Sequence, residues 1–146
     1  MKKLLFSTML IAIAMMSSAS AFAQEHPAYL HALADLRAAR WMVDHRPADN
    51  WVQSKDELAA VNEIDAAINE IKRASIDDHK DLRDHVGAQE INEHAGRLLK
   101  AIEYLRRTRG DIEKREDNKW ANGLRDRAFH HIDEAIRNLE RARMNK

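Results

Sequence analysis

The chain has 146 residues, with 24 basic and 24 acidic side chains, eight histidines, two prolines and no cysteine. That balance leaves out the basic footprint of a nucleic-acid-binding protein. The absence of thiols excludes a disulfide framework and a lipid-modified cysteine at the N-terminus.

Residues 1–23 read as a Sec-type signal peptide: Lys2 and Lys3, an apolar run from Leu4 to Met16, then "SSASAFA" with cleavage expected after Ala23. The run falls short of the roughly 20 apolar residues that cross a bilayer. A periplasmic or secreted location is therefore expected, with no membrane span in the mature chain. Removing 23 residues and two lysines leaves 123 residues carrying 22 basic and 24 acidic groups, a formal charge of −2. This suits one domain, residues 24–146.

Within that domain one helical phrase returns four times: "ALADLRAA" from Ala32, "AINEIKRA" from Ala67, "AIEYLRRT" from Ala101 and "AIRNLERA" from Ala135. The steps are 35, 34 and 34 residues. Apolar positions extend each phrase at three- and four-residue intervals, as in Leu58, Val61, Ile64, Ile68 and Ile71, or Leu124, Ala128, Ile132, Ala135 and Leu139. Residues 55–74 contain neither glycine nor proline, so each unit holds one long helix rather than two short ones. Breaks are expected at "HRPADNW", "SIDDHKDLRDH" and "REDNKWANG". Ser54-x-x-Glu57 supplies a capping box for the second helix.

The expected fold is all-α, an antiparallel up-down-up-down four-helix bundle. Its core should contain Leu33, Leu36, Ile64, Ile68, Ile71, Leu98, Ile102, Leu105, Ile132, Ile136 and Leu139. A longer match aligns Asp49–Ala74 with Asp117–Ala142 and keeps Asp65/Asp133 and Arg73/Arg141 as well as the apolar positions. Duplication of a helix pair accounts for this internal repeat, and only the second copy carries His130 and His131.

Alternating directions would gather His26, His31, His79, His85 and His94 at one end, and Trp41, Trp51 and Trp120 at the other. Imidazoles beside carboxylates suit borderline divalent metals, so the candidate metal ligands are His26, His31, His79, His85, His94, His130 and His131. Same-helix acids four residues away support some of them: His31 with Asp35, Asp81 with His85, Glu90 with His94, and Asp126 and Glu134 about His130. The same spacing also produces ordinary solvated contacts. Four-residue steps to Leu98 and Ala135 turn His94 and His131 inward, where each would serve as a core residue with one hydrogen bond or as a ligand. After cleavage the chain would begin Gln24-Glu25-His26, which resembles the amino-terminal copper- and nickel-binding motif.

No catalytic role is expected, because the sequence has no Glu-x-x-His pair for a di-iron bundle, no covalent-haem motif and no nucleophile motif. The phrase "HHIDEAIRNLERA" resembles the histidine-bearing helices of the small metal-binding protein family, and that resemblance implies an exported four-helix bundle binding divalent metals such as copper and nickel. "EIDAAINEIKRASIDD" with "HPAYLHALADLRAAR" is similar to a group of exported bacterial proteins of unknown function. The functional expectation is a periplasmic bundle that binds or buffers copper or nickel, ahead of zinc, through histidine and carboxylate groups. The alternative is a metal-free bundle for protein interaction or envelope stress, with a partner the sequence does not name.

Overall fold

The computed structural model describes residues 27–45, 52–76, 91–113 and 119–145, with the side chains of the first and last few positions of some helices left aside. These contain four helices and no strand: α1 (Pro27–Asp44), α2 (Lys55–Ile76), α3 (His94–Glu113) and α4 (Lys119–Met144). The expected signal peptide, and with it the domain boundary, lies outside the described residues.

Local chemistry sets the helix ends. Pro27 opens α1, where its fixed φ suits a helix and its missing N–H costs nothing. The expected capping box opens α2: the Ser54 amide donates to Glu57 Oε2 at 2.6 Å, and the Glu57 amide donates to Ser54 Oγ at 3.2 Å. Asp56 and Glu57 in the first turn and Arg73 in the last also complement the helix dipole. Before α3, the buried Arg97 guanidinium donates back to the Asn92 carbonyl at 3.0 Å, occupying a backbone group ahead of the helix. In α4, Arg141 and Arg143 lie in the last turn, near the negative end of the dipole.

The apolar stripes meet in one core. Of the eleven expected core residues, Leu33, Leu36, Ile64, Ile68, Ile71, Leu98, Ile102, Leu105, Ile132 and Leu139 are buried, and Ile136 packs against them half-exposed. Tyr104 is buried and Phe129 packs on the core, with Arg109 and Arg125 over its ring. Leu58 departs from the expected stripe: it is 53% exposed, while Glu57 beside it is 1% exposed. The inward track of α2 starts at Glu57 and continues through Val61, Ile64, Ile68 and Ile71, because the glutamate has polar partners inside.

Helix order differs from the expected alternation. α1 packs on α2 and α3, and α4 packs on α2 and α3, so α2 and α3 stand diagonally. Three contacts give α2 and α4 opposite directions: Asp56 with Arg141 at 3.3 Å, Glu63 with His131 at 2.7 Å and Glu70 with Arg127 at 3.1 Å. α3 also opposes α4, since Arg106 meets Glu140 while Arg109 meets Asp133, and only five residues join the two helices. α2 and α3 therefore run parallel, and a carboxylate–imidazole contact between Glu57 and His94 fastens their starts together. The alternation rested on short connections between all successive helices, but more sequence separates Ile76 from His94 than separates the two helices of either hairpin.

The arrangement is one of two hairpins, α1–α2 and α3–α4, laid against each other in opposite senses. Equivalent contacts hold each of them. Arg40 Nε donates to Asp65 Oδ1 at 2.7 Å in the first hairpin, and Arg109 Nε donates to Asp133 Oδ1 at 3.0 Å in the second. Within single helices the repeat also recurs, Arg73 donating to Glu70 in α2 and Arg141 to Asn138 at the matching positions of α4.

Candidate acid–histidine sites

With α3 running parallel to α2, the expected histidine end and tryptophan end both divide. His94 begins α3 at the end of the bundle where α1 finishes, whereas His31 lies near the start of α1 at the other end. Trp41 lies near the finish of α1, stacked on His45 with ring centroids 4.1 Å apart, while Trp120 falls in the first turn of α4 at the opposite end. His26, His79, His85 and Trp51 are outside the described residues.

Among the described residues His94 and His131 form inter-helix contacts, and both take a carboxylate from α2. His94 Nε2 meets Glu57 Oε1, with side chains 16% and 2% exposed. Glu57 is thereby engaged twice, since its other oxygen accepts the Ser54 amide. His131 Nδ1 lies 2.7 Å from Glu63 Oε2, with side chains 27% and 31% exposed. Glu63 occupies in α2 the position that His131 occupies in α4: the two numbers differ by 68, the offset of the aligned segments. In an antiparallel pair of matched helices only the position at the centre of the pairing faces its own counterpart, and Glu63–His131 is that position, flanked by Asp56–Arg141 and Glu70–Arg127. Two glutamates there would repel, whereas an imidazole ring nitrogen hydrogen-bonds the carboxylate.

The same-helix acids serve other partners. Asp35, 6% exposed, receives Arg107 of α3 through two hydrogen bonds, from Nε at 2.5 Å and Nη2 at 2.8 Å, and His31 four residues before it is exposed. The fork favours the charged guanidinium, and the Asp35 hydrogen bond is the main cause that raises Arg107 above its ordinary range. Glu134 receives Arg137 at 2.6 Å, and this hydrogen bond is the largest cause holding its carboxyl below the ordinary glutamate range. His130 adds a smaller electrostatic contribution in the same direction. Asp126 lies 3.5 Å from Arg125. Arginine, planar and always charged, competes better than imidazole for an exposed carboxylate.

His130 is exposed on α4, its ring 5.7 Å from that of His131 and tilted by 59°. No group of three or more histidine or carboxylate side chains converges in metal-binding fashion among the described residues. The sequence signal for the Glu63–His131 site was present in the aligned segments, but reading it required knowing that α2 packs on α4. Glu57 was legible only as a cap.

No described helix is long and apolar enough to cross a membrane. No protein-family model, curated protein or solved structure matches the chain.

Proposed function

We propose that the protein is an exported, non-catalytic helical bundle that takes up a divalent transition metal, copper or nickel ahead of zinc, at His131 on α4. The observation that carries this reading is the Glu63 carboxylate on Nδ1 of a partly exposed His131. Metal-binding histidines commonly give one ring nitrogen to a carboxylate, which fixes the tautomer and ring orientation and raises the basicity of the other. Here the other nitrogen is Nε2, and the exposed His130 is a neighbouring imidazole. Water would complete a site with so few protein donors. Export is supported by the signal-peptide pattern of residues 1–23.

Glu57–His94 favours a second reading, a metal-free interaction bundle. That pair is nearly enclosed and its carboxylate already serves a cap and an imidazole, as a fastener between helices would. Calorimetry with Cu²⁺, Ni²⁺ and Zn²⁺ separates the two. The wild-type mature chain should bind more tightly than free imidazole, His131→Ala should abolish the event, and Glu63→Gln should weaken it by about 10- to 100-fold, the usual cost of losing an orienting partner. Acidification should weaken binding, because protons compete for the imidazole nitrogen. A silent wild type would leave the metal-free reading, and undiminished binding after His130→Ala with His131→Ala would displace the site to another position such as His26.

A further inference from the structure

The two histidines of α4 stand in different surroundings. The His131 side chain is 27% exposed and gives Nδ1 to Glu63 Oε2, so its remaining ring nitrogen is Nε2. His130 beside it is exposed on the outer face of the helix, and the two ring centroids lie 5.7 Å apart. Two imidazoles on one ion bring their ring centres to about 5 Å, because each nitrogen sits about 2.0–2.1 Å from the metal and the ring extends roughly an ångström farther. A small rotation of the exposed His130 covers the difference.

Two nitrogens are half of a usual donor set. Copper and nickel with imidazole ligands favour a square of four donors, and zinc a tetrahedron. Among the described residues no third histidine or carboxylate converges on this pair. Glu63 is engaged at Nδ1, while Glu134 and Asp126 of the same helix lie against Arg137 and Arg125.

The outer face of α4 is self-complementary in charge about an axis through His130. Arg127 stands three residues before His130 and Glu134 four residues after it, with side chains 53% and 34% exposed. When two α4 helices cross antiparallel at His130, Arg127 of each lies opposite Glu134 of the partner subunit. The exposed Gly123, seven residues before His130, leaves room there for the partner subunit's Arg137, seven residues after it. A two-fold axis brings a residue onto its own copy only at the axis itself, and His130 occupies that place.

We propose, on the reading of His131 as a metal site, that one divalent ion joins two copies of the chain, held by His130 and His131 of each, with α4 packed antiparallel on α4. The second copy's imidazoles take the positions that water fills in a single chain. With less metal than protein each ion is shared and dimers form; with metal in large excess every chain holds its own ion and the dimers separate.

Sedimentation of the mature chain carrying His26→Ala, which removes the other candidate nickel ligand at the terminus, tests this. The chain should be monomeric without metal, chiefly dimeric with half an equivalent of Ni²⁺, and monomeric again in large excess. Adding His130→Ala should keep it monomeric while calorimetry still records Ni²⁺ binding at His131. Glu134→Arg, which sets like charges opposite Arg127, should lower the dimer fraction at half equivalence several-fold without abolishing binding, and circular dichroism checks that each variant folds. A chain that binds Ni²⁺ but stays monomeric at half equivalence would overturn the shared ion and leave the metal site standing; a chain that binds none would remove both. A dimer that forms without metal, or one that persists after His130→Ala, would also overturn the proposal.

Discussion

At the residue scale, Glu57 shows how one side chain can serve two levels of structure. Its Oε2 closes the capping box with Ser54 while its Oε1 meets His94 across the bundle. Glu57→Ala should remove both, costing roughly 3 kcal/mol or more, since a cap contributes about 1 and breaking a buried pair typically costs more than that. Glu57→Gln keeps a side chain compatible with the cap, so it should lose much less. Denaturant midpoints of the two variants test this, and equal losses would mean that the cap and the inter-helix contact are not separable at this side chain. Two surface glutamates give the pH response a definite sign. Glu103 and Glu134 are held below the ordinary range, chiefly by hydrogen bonds from Lys100 and Arg137. Their folded values lie below the unfolded value of about 4.3, so their contribution is present above that pH and is lost as pH falls through the lower folded values. Glu134→Gln should flatten the acid limb of the stability curve slightly, measured by thermal melts between neutral pH and the acid range.

At the element scale, the stripes that made the four helices legible also locate their cost. Ile68→Ala on α2 and Leu105→Ala on α3 should each destabilise by about 2–5 kcal/mol, because both side chains are buried in the shared core. Losses near half a kcal/mol in equilibrium unfolding would assign them to the surface instead. The sequence revealed these elements because a three- and four-residue apolar spacing is a local property, as is the Ser54–Glu57 cap. It did not reveal that α2 and α3 share a direction, which shows only in contacts between helices such as Glu57–His94, and no periodicity encodes those. The candidate site was hidden for the same reason. His131 was visible as an altered residue in a repeated phrase, but its partner Glu63 lies on another helix, while nearby acids such as Glu134 and Asp35 are held by arginines. Even Leu58, apolar and in phase with Val61, lost its inward place to Glu57.

At the scale of the whole molecule, the two hairpins and their opposed packing explain why an acid and an imidazole meet at matched positions of α2 and α4, and why the pairs Arg40–Asp65 and Arg109–Asp133 recur. The metal proposal depends on that layout, since the Glu63–His131 contact belongs to the packing of α2 on α4. Each hairpin direction is carried by a few named contacts, so the layout can be checked without perturbing the core. Lys55, Glu93 and Glu113 are exposed and lie at the start of α2, just before α3 and at the finish of α3. Spin labels on cysteines at 55 and 93, and separately at 55 and 113, in dilute monomeric protein provide two distances by pulsed electron resonance. Parallel α2 and α3 predict that the 55–113 distance exceeds the 55–93 distance by about 20 Å or more, given an α3 of about 30 Å. A 55–113 distance shorter than the 55–93 distance would restore simple alternation and contradict the packing of hairpin on hairpin.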